Sequence, residues 1–114
     1  MRPLEIRKYL FDIAQACELL EQFTAGKTFA DYSRDPMLRS SVERQFEIIG
    51  EALTQAIRLD STLSTCISDV GKIIAFRNRL IHAYATISDK VVWGILETNL
   101  PVLRREAESL LNEK

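Results

Sequence analysis

Apolar residues recur along this chain in steps of three and four, with no convincing two-residue alternation, so the pattern predicts helices and no strands. Leu4 or Ile6, then Leu10, Ile13, Cys17 and Leu20 draw one apolar stripe along a first helix of about five turns. Thr24-Ala25-Gly26-Lys27 ends it, and Phe29 and Tyr32 are expected to tack the connecting loop onto the core. Asp35-Pro36 reads as an N-cap followed by proline at the first helical position, where the missing N–H is an orphan anyway. A second helix should start there, with Val42, Phe46, Ile49, Leu53 and Ile57 as its stripe and Arg39, Glu43, Arg44, Glu47 and Arg58 on its wet side. Gly50 and Ala52 are small enough to let another helix come close.

The polar cluster Asp60-Ser61-Thr62, followed by Ser64 and Thr65, breaks the pattern. A third helix is predicted from about Ser68, using Val70, Ile73, Ile74, Leu80 and Ile81. Ser88-Asp89 is the next cap signal, and a fourth helix carries Val91, Val92, Ile95, Leu96, Leu100, Leu103, Leu110 and Leu111. Pro101 lies within that run, and its absent donor and crowding ring predict a kink or an interruption. The sum is an all-α chain, an antiparallel four-helix bundle with room for one extra short helix. Residues 1–114 fall in the size range of a single domain, and no repeat, linker or low-complexity tract divides them.

With 15 Lys and Arg against 16 Asp and Glu, the chain has no overall field to attract nucleic acid or acidic membrane. Any such binding must come from a local patch. Cys17 and Cys66 lack metal-like spacing and read as small buried hydrophobes, not as a bridge or a zinc site. Charged residues from Arg2 to Glu18 interrupt the first helix, so no signal-peptide core is expected, and no apolar run reaches the length of a membrane span. No phosphate loop or metal motif is visible. The expectation is a cytoplasmic protein that needs no cofactor and no metal.

The candidate chemistry is concentrated in Arg77-Asn78-Arg79-Leu80-Ile81-His82-Ala83-Tyr84, which holds the chain's one histidine. Arginine grips phosphate, histidine moves protons near neutral pH, and a tyrosine hydroxyl can be modified. At about 100° per residue, Arg77 and Tyr84 fall within roughly 20° of each other, whereas His82 is about 140° from Arg77. Asn78 and His82, four apart, share a face, where the amide can fix the imidazole. For Arg77 and His82 to serve one phosphate, the arginine must wrap around, the helix must fray near His82, or a second subunit must complete the site. Metal-independent RNA cleavage wants a base for the 2′-hydroxyl and an acid for the leaving oxygen. One histidine supplies one such group, and a two-fold dimer would supply two.

Bland readings stand beside this one. His82 can be a capping or packed residue, and Arg77 and Arg79 can be solvated charges or partners for carboxylates of the second helix. Tyr84 can be a core aromatic with its hydroxyl at the rim. Glu51 interrupts an apolar neighbourhood either as a surface charge or as a partner orienting Arg77 or His82. Lys72, Arg77, Arg79 and Lys90 outweigh Asp69 and Asp89, a local patch able to hold phosphates but too weak for strong general RNA affinity.

Arg77, His82 and Tyr84 resemble the Arg-x-x-x-x-His-x-Tyr signature of the HepT-like HEPN toxin family. Blocks in the same order support the likeness over nearly the whole length: residues 9–13 (YLFDI), 42–52 (VERQFEIIGEA) and Val91-Val92-Trp93. Family members often carry a proline-tryptophan pair shortly before the arginine, whereas this chain has Ile67-Ser68-Asp69-Val70-Gly71, which bears on how the third helix begins. The resemblance implies a HEPN-like bundle that dimerises, with motifs from both subunits lining a composite active site. It implies a metal-independent endoribonuclease, the toxin half of a prokaryotic toxin–antitoxin pair. Its implied partner is a minimal nucleotidyltransferase antitoxin, which in this family can transfer AMP to the motif tyrosine. Carried over by position, Arg77 would bind the scissile phosphate, His82 would transfer protons, Asn78 would orient the site, and Tyr84 would be the modified residue; Glu51 and Arg79 are possible supporting residues. The alternative is a non-catalytic helical subunit that binds a nucleotidyltransferase and presents Tyr84 to it.

Overall fold

The computed structural model describes residues 2–82 and 87–113. Among them run helices α1 (Leu4–Thr24), α2 (Phe29–Arg34) and α3 (Pro36–Leu59), a 3-10 turn at Ser61–Thr65, then α4 (Val70–His82) and α5 (Asp89–Leu111), with no strand. Helix α1 packs on α3 and α5, and α3 packs on α4. The directions alternate: Arg2, just ahead of α1, bonds Asp60 at the end of α3 and Glu113 beyond the end of α5, each at 3.1 Å. In the last turn of α1, Glu21 pairs with Arg104 of α5 at 2.7 Å, and Arg104 also ties to its own Glu108 at 2.8 Å.

Local capping chemistry sets most boundaries. Asp35 accepts from the N–H groups of Met37 and Leu38 at 3.0 and 3.1 Å, and Pro36 occupies the first turn as expected. Ser88 caps α5 by accepting from the Lys90 N–H at 3.1 Å. The segment around Phe29 and Tyr32 is helical, not a loop. Thr28 and Asp31 form a reciprocal capping box, with bonds of 3.2 and 2.9 Å, that starts α2. The Thr28 backbone N–H and hydroxyl hold the Asp31 carboxyl below the usual carboxylate range. Tyr32 is fully buried against Trp93, ring centroids 5.5 Å apart, and burial pushes its phenol well above the ordinary tyrosine value. Helix α4 begins at Val70, later than predicted. Asp69 takes a left-handed φ of 58°, and the Glu106 carboxylate accepts from the Ser68 N–H at 3.1 Å and from its hydroxyl at 2.8 Å, so the chain turns before the helix starts.

The core is the sum of the stripes. Ile6, Leu10, Ile13, Cys17 and Leu20 of α1 meet Val42, Phe46, Ile49 and Leu53 of α3 and Val92, Leu96, Leu100, Leu103 and Leu110 of α5. Ile6 fills the position left open between it and Leu4, which is 81% exposed. Pro101 does not interrupt α5. The bond it forfeits would reach the Glu97 carbonyl, and both residues are exposed, so water can take that acceptor. Cys66 departs from expectation: it is exposed at the end of the 3-10 turn, while Cys17 is buried, and both thiols are free. Among the described residues, no helix is long and apolar enough to cross a membrane.

Helix α4 buries one residue, Leu80, and its close approach to α3 depends on Gly50. A Cβ added at Gly50 would overlap Cβ and Cγ of Arg77, so the glycine is what lets the two helices meet there. Phe46 and Phe76 reinforce the contact edge to face, 5.2 Å between centroids. We expect Gly50→Ala to cost about 1–3 kcal/mol, the usual range for forcing a methyl group into a packed contact. Urea denaturation measures it, and an unchanged midpoint would show that α4 shifts at no cost.

The thiols give a second test. Burial, with help from the Glu21 carboxylate, pushes the Cys17 thiol up to about 12. One thiol, Cys66, should therefore react with a disulfide reagent at neutral pH, and Cys17 only after unfolding. Because the folded state holds the Cys17 proton more tightly, its contribution to stability is full below about pH 8.5 and declines as pH rises toward 12. Two fast-reacting thiols in the native protein would contradict this arrangement.

Candidate functional site

The packing of α4 against Gly50 lays the aliphatic stem of Arg77 along α3 and aims its guanidinium at the next residue. Arg77 Nη2 donates to Glu51 Oε2 at 2.6 Å, and Nη1 donates to Asn78 Oδ1 at 2.9 Å. Gln55, one turn further along α3, donates to Glu51 Oε1 at 3.0 Å. The Arg77 side chain is 25% exposed and Glu51 50%, so the pair is oriented at a surface rather than sealed in the core. The Arg77 Nε is buried and lacks a hydrogen-bond partner among the described residues.

This geometry decides several open readings. Glu51 is a partner of Arg77, and Arg77 has a carboxylate partner on the second long helix. Asn78 turns its oxygen to Arg77, and no hydrogen bond joins it to His82 among the described residues. Helix α4 stays regular to its last residue, His82, which is exposed. Regularity keeps Arg77 and His82 about 140° apart around the axis, as the spacing predicts. Arg79 is also exposed in that last turn, where basic side chains complement the helix dipole. The expected proximity of Tyr84 to Arg77 falls outside the described residues. The structure thus brings Arg77, Asn78 and Glu51 together and leaves Arg79 and His82 at the helix end. The wider basic patch is partly neutralised, since Lys72 lies 4.0 Å from Asp69.

A groove of about 240 Å³ opens beside the Arg77–Glu51 pair, between α1 and α3. Its walls include Tyr9 and Asp12 from α1, Arg44 and Glu47 from α3, and Ile81 from α4. A larger, mostly apolar cleft of about 330 Å³ lies where α4 stands off from α5, over Phe46, Ile73, Phe76 and Ile95. Sequence reasoning missed Gln55 as a support for the site, although its four-residue offset from Glu51 is the helical spacing for such a bond. It also passed over Asp12 and Glu47, which acquire meaning only when α1 and α3 are placed side by side. Chemically, the site offers an oriented guanidinium for a phosphate, an exposed imidazole at the helix end for proton transfer, and a mixed aromatic and charged groove next to the guanidinium.

The family model described as Ribonuclease HepT-like matches residues 13–110. "Putative RNase TTE0752" of Caldanaerobacter subterraneus subsp. tengcongensis is 31% identical over 95% of this chain and 96% of its own length. "Probable ribonuclease HepT" of Thermococcus cleftensis is 35% identical over 91% of this chain and 94% of its own length. "Putative RNase MJ1380" of Methanocaldococcus jannaschii is 28% identical over 95% of this chain and 98% of its own. No solved structure matches the chain. The match spans the helices that build the site and includes Glu51, Arg77, Asn78 and His82, and with the all-α HEPN-like bundle it places this chain in the HepT-like ribonuclease family.

Proposed function

We propose that this chain is a metal-independent endoribonuclease, the toxin of a prokaryotic toxin–antitoxin pair, working as a homodimer with a composite active site. The observation that carries the reading is the Arg77 guanidinium, held by Glu51 and Asn78 on the same helix that ends in an exposed His82. In this reading Arg77 neutralises the scissile phosphate. His82 takes the proton from the 2′-hydroxyl, the 2′-oxygen bonds to phosphorus, and the 5′-oxygen leaves with a proton from an acid. The products are a 2′,3′-cyclic phosphate and a free 5′-hydroxyl. One histidine cannot be base and acid in the same step, and a second copy's His82 supplies the other group. The angular separation of Arg77 and His82 on one regular helix supports sharing the site between subunits.

The antitoxin in this proposal is a minimal nucleotidyltransferase that moves AMP from ATP to Tyr84, releasing pyrophosphate. The transferred group adds bulk and a negative phosphate beside a site that must itself receive phosphate. Repulsion and blockage then act together. Residues 1–114 act as one helical domain on RNA in the cytoplasm.

His82→Ala and Arg77→Ala should each lower RNA cleavage by roughly 10²-fold or more, leave the helical circular dichroism unchanged, and abolish growth arrest. Wild-type cleavage should persist in EDTA. Cleavage undiminished in both variants would falsify the assignment of the site. A purified protein that leaves RNA intact at every pH, yet co-purifies with a nucleotidyltransferase and gains the mass of AMP on the Tyr84 peptide, would instead establish the non-catalytic partner.

A further inference from the structure

We propose that the groove between α1 and α3 is a nucleobase pocket, in which Tyr9 stacks the base beside the cleaved phosphate and Asp12 and Glu47 select guanine. The inference rests on Arg77 as the phosphate-binding residue and adds a specificity to that site. Arg77 and Glu51 line the same groove as Tyr9. A backbone phosphate on Arg77 would therefore leave its nucleoside at the mouth of this space.

Three observations favour a base over a second phosphate or an apolar group. Tyr9 is partly buried against the core, and the Lys8 ammonium lies over its ring, 5.4 Å from the centroid. Lys8 is 70% exposed, so a stacking base can displace it. Asp12, Glu47 and Glu51 line the groove beside Arg44 and Arg77, and an ionised carboxylate only accepts hydrogen bonds. Acceptors repel a polyanionic backbone but suit a base edge rich in donors. Finally, Asp12 is held by Lys8 at 3.5 Å and Glu47 by Arg44 at 3.4 Å, exposed pairs of little strength that a ligand can replace.

Hydrogen-bond chemistry then selects the base. Guanine presents N1–H and the N2 amino group side by side, two donors facing one carboxylate. Uracil offers N3–H between two carbonyl oxygens, and adenine and cytosine each set one amino group beside a ring-nitrogen acceptor. A carboxylate in the pocket attracts the first edge and opposes part of every other. Tyr9 supplies stacking without regard to sequence, so affinity and selectivity come from different side chains.

The test uses binding rather than cleavage, in a His82→Ala background, with fluorescently labelled single-stranded pentamers UUGUU, UUAUU and UUUUU followed by anisotropy. UUGUU should bind most tightly. Tyr9→Ala should weaken all three by roughly 5- to 150-fold, the span of base–aromatic stacking, while Tyr9→Phe restores affinity. Asp12→Asn and Glu47→Gln should lower the preference for UUGUU with less effect on UUUUU. If RNA binds but affinity and preference survive Tyr9→Ala and both carboxylate variants, the groove is not the base pocket and the ribonuclease reading is untouched. If Arg77→Ala leaves binding of all three pentamers unchanged, the phosphate assignment falls and takes the pocket with it.

Discussion

The candidate site depends on a single close approach, that of α4 to α3 at Gly50. Without a Cβ there, the stem of Arg77 can lie on α3 and its guanidinium can reach the neighbouring Glu51. Two consecutive residues thus do different work: one makes room, and the other fixes a charge. Leu80 is the one buried residue of α4, and Val70, Ile73, Ile74 and Phe76 add partly buried contacts with the core, so the close approach at Gly50 sets where the helix lies rather than whether it is held. The position of His82, five residues on from Arg77 along the same helix, follows from that contact, and no side-chain hydrogen bond holds it among the described residues.

Much of the fold was legible because helix periodicity and capping are local. The stripes of α1, α3 and α5 and the caps at Asp35 and Ser88 are written within a few residues each, and they fold as read except at Val91, which stays 46% exposed at the start of α5. Helix α2 was harder to see. Its capping box at Thr28 and Asp31 is present in the sequence, but six residues carry too little periodicity to separate a helix from a loop. Cys66 and Pro101 failed for another reason. Whether a thiol is covered, or a forfeited carbonyl can reach water, depends on which side of the bundle the residue faces, and that is settled by neighbours distant in sequence.

The site divides along the same line. Arg77, Asn78 and His82 stood out because their residue types and spacing are local. The partner of Arg77 did not, since Glu51 lies 26 residues away and its role was an open choice until α3 and α4 were placed together. The expectation that Asn78 would orient His82 treated the helix alone. A guanidinium one residue away offers the Asn78 oxygen a charge-assisted bond, stronger than a neutral contact with imidazole, and it captures the amide.

The Arg77–Glu51 pair also constrains how such a site can bind RNA. Half-exposed, it is worth at most about 1 kcal/mol, so Glu51 orients the arginine without locking it away. Two of the five guanidinium donors are engaged, and others stay open to a phosphate oxygen while Glu51 remains in place. The adjacent carboxylate nevertheless cancels most of the local positive field, and the chain as a whole is close to neutral. Diffuse electrostatic attraction, which dominates nonspecific nucleic-acid binding, is therefore weak here. Under the proposed function, an RNA must be held by what surrounds its phosphate, and selectivity becomes a requirement of binding rather than an addition to it.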